Sequence, residues 1–220
     1  GHMSARSCST QNHYPFTAFS HSARAINLCC QRLHRQRVIA EVTPVKTVIF
    51  DLDGTLADTS GDLIAAANAC FRGLGHGDLL DEHTDMLTAF HGGRAMLRLG
   101  FSRLQGDFDD RDVDRQYPIL LGAYAEHIDV KTALYPGAVD AVEDLRSAGY
   151  KVGVCTNKPE GLAQTLLQKL GVRDLFGSLI GADTLPVRKP DPDPYIASVN
   201  VAGGDLKQSL LVGDTDTDLK

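Results

Sequence analysis

The chain is predicted to be an α/β protein on a doubly wound parallel sheet, with a helical region inserted after its first strand. Three observations predict this. Val45-Lys46-Thr47-Val48-Ile49-Phe50 is a β-branched, apolar run of the kind buried on both faces of a parallel sheet. From about residue 62 to 130 the apolar spacing is helical, with no strand-like alternation. After Tyr135-Pro136-Gly137, strands and helices alternate, as parallel crossover units require.

Each element has its own signal. The first strand ends in Asp51-Leu52-Asp53-Gly54-Thr55, where Gly54 supplies the freedom for a sharp turn. Asp62 opens a helix that the Gly73/Gly75/Gly77 cluster ends. Further helices fit 81–90, 93–104 and 110–128, enough for a small bundle. Ala138 to Ser147 reads as a helix closed by Gly149, then Tyr150 to Cys155 as a strand. Glu160 to Leu170 is a helix closed by Gly171, and Leu179-Ile180-Gly181 a short strand. Pro194 to Val201 is helical, and Ser209 to Val212 is a strand ending at Gly213-Asp214. The domain boundaries expected from this are 1–40 for an N-terminal extension, 41–62 with 132–220 for the α/β core, and 63–131 for the insertion.

Composition limits the function classes. The 220 residues are 43% hydrophobic and 23% charged, which is ordinary for a globular protein. No run approaches the ~18 apolar residues of a membrane-spanning helix. Residues 1–40 hold five of the 22 basic residues (Arg6, Arg24, Arg32, Arg35 and Arg37) and none of the 28 acids. That leaves 17 bases against 28 acids, a balance of −11 over 41–220. Such an acidic body argues against a nucleic-acid groove and fits one that holds a divalent cation.

Gly1-His2-Met3 reads as a cloning remnant. The acid-free segment to Ala40 resembles an organellar transit peptide, and reads equally as upstream sequence from a misplaced start codon or as a basic tail. Within it, 22–39 has the spacing of a short amphipathic helix, before a break at Pro44. Cys8, Cys29, Cys30, Cys70 and Cys155 form neither a disulfide framework nor a zinc spacing, and read as reduced thiols.

Four polar clusters sit at strand ends or in the loops that follow: Asp51/Asp53, Thr156/Asn157, Arg188/Lys189 and Asp214/Asp216/Asp218. In a parallel sheet these ends share one edge, where ligands bind. Carboxylates brought together repel unless a cation neutralises them, and hard oxygen donors without His or Cys point to Mg²⁺. A strand-end carboxylate can attack phosphorus to form an aspartyl phosphate, while Mg²⁺ and a Lys offset the phosphoryl charge. Taken singly, each residue has a plainer reading. Asp51 would be a turn or capping residue, Thr156 a helix cap, Lys189 a solvated loop charge and Asp216 a turn residue. It is their joint occurrence on successive strands that turn chemistry does not produce.

The segments VIFDLDGTLADT, VCTNKP, VRKPDPDPY and VGDTDTD resemble the four motifs of the haloacid-dehalogenase-like hydrolases, over roughly 45–218. Within that superfamily GADTLPVRKPDP and the placing of the insertion most resemble the phosphoglycolate phosphatases. The resemblance implies a Rossmann-like core with an all-helical cap, and release of phosphate from a small phosphate monoester, 2-phosphoglycolate. It implies Asp51 as nucleophile, Asp53 as general acid/base, and Thr156 and Lys189 as phosphate and charge-stabilising groups. Mg²⁺ is implied on Asp51, the backbone carbonyl of Asp53, and Asp214, with Asp218 as an outer ligand. Gly54, Thr55 and Asn157 are expected at the substrate, and Arg94, in His91-Gly92-Gly93-Arg94, at its carboxylate. The expected protein is a cytoplasmic monomer or homodimer that binds neither nucleic acid nor membrane.

Two other readings are weighed: a sugar phosphomutase, which keeps all four motifs, and a binding domain that inherited the fold without the chemistry, against which the intact polar set argues. The dehalogenases lack an acid at the position of Asp53. Ser209–Val212 is expected beside 45–51, on the side away from 150–155. Relatives continue with a further helix and strand, so its outer edge is expected to be covered by such elements of the native protein beyond the sequence given, with the 22–39 helix as the alternative cover.

Overall fold

The structure, a computed structural model, describes residues 44–218, which lie in one compact body. The 22–39 helix and Cys8, Cys29 and Cys30 fall outside them. Strand β1 (Thr47–Phe50) is followed by β2 (Ala57–Asp58), the insertion, and β3 (Ala133–Leu134). Strands β4 (Lys151–Cys155), β5 (Ser178–Ile180) and β6 (Ser209–Val212) come after. The main sheet has the order β5-β4-β1-β6, with every neighbouring pair parallel. As expected, β6 lies beside β1 and away from β4.

Helices cover both faces of this sheet. Val152 and Val154 of β4 face a core shared with α5 (Ala138–Ser147) and α6 (Glu160–Lys169). Ile49 of β1 and Cys155 of β4 face the other way, onto Val199 of α7 (Asp193–Val201). This two-residue alternation is what a pleated strand imposes, and apolar residues at both phases explain the unbroken runs. Leu210 and Val212 of β6 are more than one-third exposed.

The insertion is all helical between β2 and β3: α1 (Ser60–Gly73), α2 (Met86–Ala89), α3 (Gly93–Ser102) and α4 (Asp110–Glu126). Phe71, Met96, Leu97, Phe101, Val113 and Leu120 are buried between these helices. Phe71 meets Phe101 edge-on at 5.3 Å, a favoured aromatic geometry. Burial of each such side chain contributes roughly 1.5–3 kcal/mol. Helix α4 starts at a capping box in which Asp109 and Asp112 satisfy each other's backbone N–H groups.

One expectation is corrected here, and one strand pair is new. The 81–90 helix shrinks to 86–89 because side chains take over its backbone donors. Asp81 accepts from the N–H groups of His83 and Thr84 and Asp85 from that of Asp81, while just before the segment Asn68 accepts from those of Leu79 and Leu80. Asp and Asn compete with helical hydrogen bonding in this way. The unforeseen pair β2–β3 is antiparallel, Ala57 opposite Leu134 and Asp58 opposite Ala133. It joins the two points where the chain enters and leaves the insertion. Nearby, buried Asp62 accepts from the N–H groups of Lys131 and Thr132 and from the Thr132 hydroxyl. Among the described residues no helix is long and apolar enough to cross a membrane.

Candidate active site

All four polar clusters meet at the C-terminal edge of the sheet. Asp51 directly follows β1, and its N–H donates to Val212 O at 2.8 Å, so the residue stays aligned with β6. Thr156 follows β4, and its N–H donates to Ile180 O. Lys189 lies in the loop after β5 and is buried, although its sequence neighbours are exposed.

Lys189 Nζ is 3.1 Å from Asp51 Oδ1 and 2.5 Å from Asp218 Oδ1, with its side chain 3% exposed. Asp51, Asp214 and Asp218 each bring one carboxylate oxygen within 4.8 Å of the others. Burial pushes the Asp51 carboxyl up to about 6, against the lowering effect of Lys189 and with added repulsion from Asp53 and Asp218. Burial works against the Lys189 ammonium, but the two carboxylates outweigh it and raise its pKa.

Two glycines make room for the acids. Gly54 has φ +82°, and a Cβ there would lie 2.2 Å from Asp214 Oδ2. At Gly213 a Cβ would lie 2.3 Å from Asp218 Cγ. Any larger residue would displace a carboxylate. Thr55 donates its hydroxyl to Asp214 Oδ1 at 2.7 Å. The structure therefore sets Gly54 and Thr55 against Asp214.

The cluster fits a divalent cation on its own chemistry. Three carboxylates face one ammonium, which leaves two negative charges uncompensated. All donors are hard oxygens, the set Mg²⁺ takes. The Asp53 carboxylate is not one of the three. It pairs with Lys158 Nζ at 2.7 Å and accepts from the Thr59 hydroxyl at 2.5 Å.

Above this edge is a cavity of about 420 Å³ between the sheet loops and the insertion. Asp51, Asp53, Thr156 and Lys189 line its floor, and His91, Arg94 and Tyr117 its insertion side. Thr156 Oγ1 accepts from Lys158 N–H. Asn157 Nδ2 donates to Lys189 O at 3.1 Å, which ties the loop after β4 to the loop after β5. Arg94 forms an ion pair with Asp114 and lies 4.3 Å over the Tyr117 ring. Arg188 lines the same cavity with no side-chain ion pair among the described residues.

Lys158 was missed by sequence reasoning. It stands inside VCTNKP, three residues past β4, where a lysine reads as a solvated charge. In the structure it is buried and held by Asp53 and by the hydroxyl of Tyr124, 34 positions earlier in the chain. The only signal was that the Lys borders a strand end. Cys70 and Cys155 are free and buried, their thiols pushed up to about 11 and about 12 by burial, in line with unreactive reduced cysteines.

A doubly wound sheet with acids just after β1 and β6 and a buried lysine after β5 is the arrangement for which the sequence comparisons supply the class. The family model for haloacid dehalogenase-like hydrolase matches residues 45–220, so the chain belongs to that family and is an enzyme. It is similar to a phosphoglycolate phosphatase of Mesorhizobium japonicum, at 36% identity over 78% of this chain and 75% of that protein. It is also similar to one of Rhodospirillum rubrum, at 39% identity over 79% and 73%. A solved structure of a predicted phosphoglycolate phosphatase from Haemophilus somnus superposes with a TM-score of 0.69, at 27% identity over 79% of each chain.

Proposed function

We propose that this enzyme is a Mg²⁺-dependent phosphoric monoester hydrolase that converts 2-phosphoglycolate to glycolate and phosphate through an aspartyl phosphate on Asp51. The observation that carries the reading is the meeting of Asp51, Asp214, Asp218 and Lys189 at one sheet edge. In this reading 63–131 is a helical cap over a core made of 41–62 and 132–220.

Each residue has a task the geometry allows. Leu52 N–H and Lys189 both contact Asp51 Oδ1, which leaves Oδ2 to attack phosphorus. Lys189 and the Thr156 hydroxyl face the transferring phosphoryl oxygens, where charge builds up. Asp53, oriented by Lys158 and Thr59, protonates the leaving alkoxide and later takes a proton from the attacking water. Asp51, Asp214 and Asp218, with the backbone carbonyl of Asp53, are the groups that would hold Mg²⁺. A bound Mg²⁺ supplies two positive charges that neutralise the carboxylates and polarise a phosphoryl oxygen. The insertion walls the cavity from water.

The test is phosphate release from 2-phosphoglycolate. Turnover is expected to vanish in a chelator and return with Mg²⁺, while excess Ca²⁺ inhibits because its looser, higher coordination misplaces Asp51. Full activity in chelator refutes the metal site. A requirement for a sugar bisphosphate, with no net phosphate release, refutes hydrolysis.

For the carboxylate end of the substrate, Arg94 remains the assigned residue, now with Asp114 as the group it must share. Arg94→Ala is expected to lower kcat/KM for 2-phosphoglycolate by about 10–100-fold, the worth of a charge-assisted hydrogen bond or two. Turnover of an uncharged aryl phosphate should stay within about threefold on the same grounds. Equal losses on both substrates would show that Arg94 serves only to join α3 to α4 through Asp114, and would leave Arg188 as the cation on this cavity.

A further inference from the structure

We infer that Lys158 is a positioning residue for Asp53 and that the Tyr124 hydroxyl of the insertion holds it in place, so that the longest insertion helix sets the orientation of the acid/base. This rests on the phosphatase reading. Lys158 Nζ lies 2.7 Å from Asp53 Oδ1 and donates to Tyr124 Oη at 3.0 Å. The ammonium also sits 4.5 Å from the Tyr124 ring centroid. The Lys158 side chain is 6% exposed and Tyr124 1%.

The three residues come from three places. Asp53 is in the turn after β1, Lys158 in the loop after β4, and Tyr124 in the last turns of α4. A buried ammonium needs its donors paired, and these partners come from opposite sides of the cavity. Removing either one leaves Lys158 drawn wholly toward the other. Asp53 has one further bond, from Thr59, which also lies at the junction with the insertion, immediately before α1. Both contacts fall on Oδ1, which fixes the carboxylate through that one oxygen. The pairing also explains why Asp53 stands apart from the acids around Lys189: its charge is already compensated.

The experiment is a double-mutant cycle on the full chain with Mg²⁺, read with 2-phosphoglycolate and with an aryl phosphate. Tyr124→Phe removes one hydroxyl and keeps the buried ring. It is expected to lower kcat about tenfold on both substrates with KM nearly unchanged, since slight misplacement of a catalytic group carries factors of that size or more. In an Asp53→Asn background, followed by single-turnover phosphate release with enzyme in excess, Tyr124→Phe is expected to cost nothing further. Lys158→Met should behave the same way and more strongly; if it does not fold, Tyr124→Phe still decides the matter. Equal fractional losses with and without Asp53 overturn the inference, as does a change in KM alone. A parent enzyme that releases no phosphate from either substrate overturns the phosphatase reading and this inference together.

Discussion

Asp51→Asn is expected to abolish turnover, by about 10⁴–10⁶-fold, the scale on which loss of a nucleophile acts. An amide neither attacks phosphorus at a useful rate nor binds a divalent cation well. The fold should survive. Asn keeps the acceptor oxygen that takes Leu52 N–H, and Lys189 keeps its 2.5 Å contact with Asp218. Removal of a carboxylate whose pKa is pushed up to about 6 also relieves a cost. The folded state binds this proton more tightly than the unfolded state, so Asp51 lowers stability as pH rises from about 4 to 6. The metal-free Asp51→Asn protein should therefore melt no lower than the parent at pH 8. Turnover within tenfold of the parent would remove Asp51 as the nucleophile.

Lys189→Met should damage both activity and stability. The ammonium is the buried countercharge of Asp51 and Asp218, whose side chains are 9% and 1% exposed. Removing one partner from a buried pair costs about 3–5 kcal/mol. The deficit should be largest at high pH and shrink as the pH falls from 8 toward about 6, because without Lys189 the Asp51 carboxyl is pushed up further and takes up its proton at a higher pH than in the parent. Mg²⁺ should restore part of the lost stability, since it binds the folded form alone. Turnover should still fall about 10²–10³-fold, because the phosphoryl charge loses a preorganised partner. Urea unfolding at the two pH values, with and without Mg²⁺, checks this. A Lys189→Met protein as stable as the parent at pH 8 would show that the acids are not held as charges.

Much of this protein was legible in its sequence. Strand β6 and helix α5 have the predicted bounds, and β1, β4, β5, α6 and α7 agree within two residues. Local signals suffice there: apolar runs, buried between two helical layers except at the edge strand β6, glycines at helix ends, and a regular alternation of elements. The convergence of Asp51, Thr156, Lys189 and Asp214 was also legible, because a parallel sheet brings all its C-terminal ends to one edge whatever the connections between them.

What the tertiary structure alone decided is which charge answers which. Nothing within VCTNKP distinguishes Lys158 from a solvated loop lysine; Tyr124 and Asp53 approach it only when α4 packs over the β1 and β4 loops. Arg94 acquires Asp114 by the packing of α3 on α4. Strands β2 and β3 are two residues each, too short for a period, and exist because the insertion's entry and exit are adjacent. The 81–90 segment has apolar residues for a helix but gives its first donors to Asp81 and Asp85, while Asn68, more than ten positions earlier, fixes Leu79 and Leu80 just before it. Periodicity and turn chemistry act between near neighbours and are written in the chain order. Ion pairs and buried hydrogen bonds act between groups that only the folded backbone brings within 3 Å, so their pairing has no local signature.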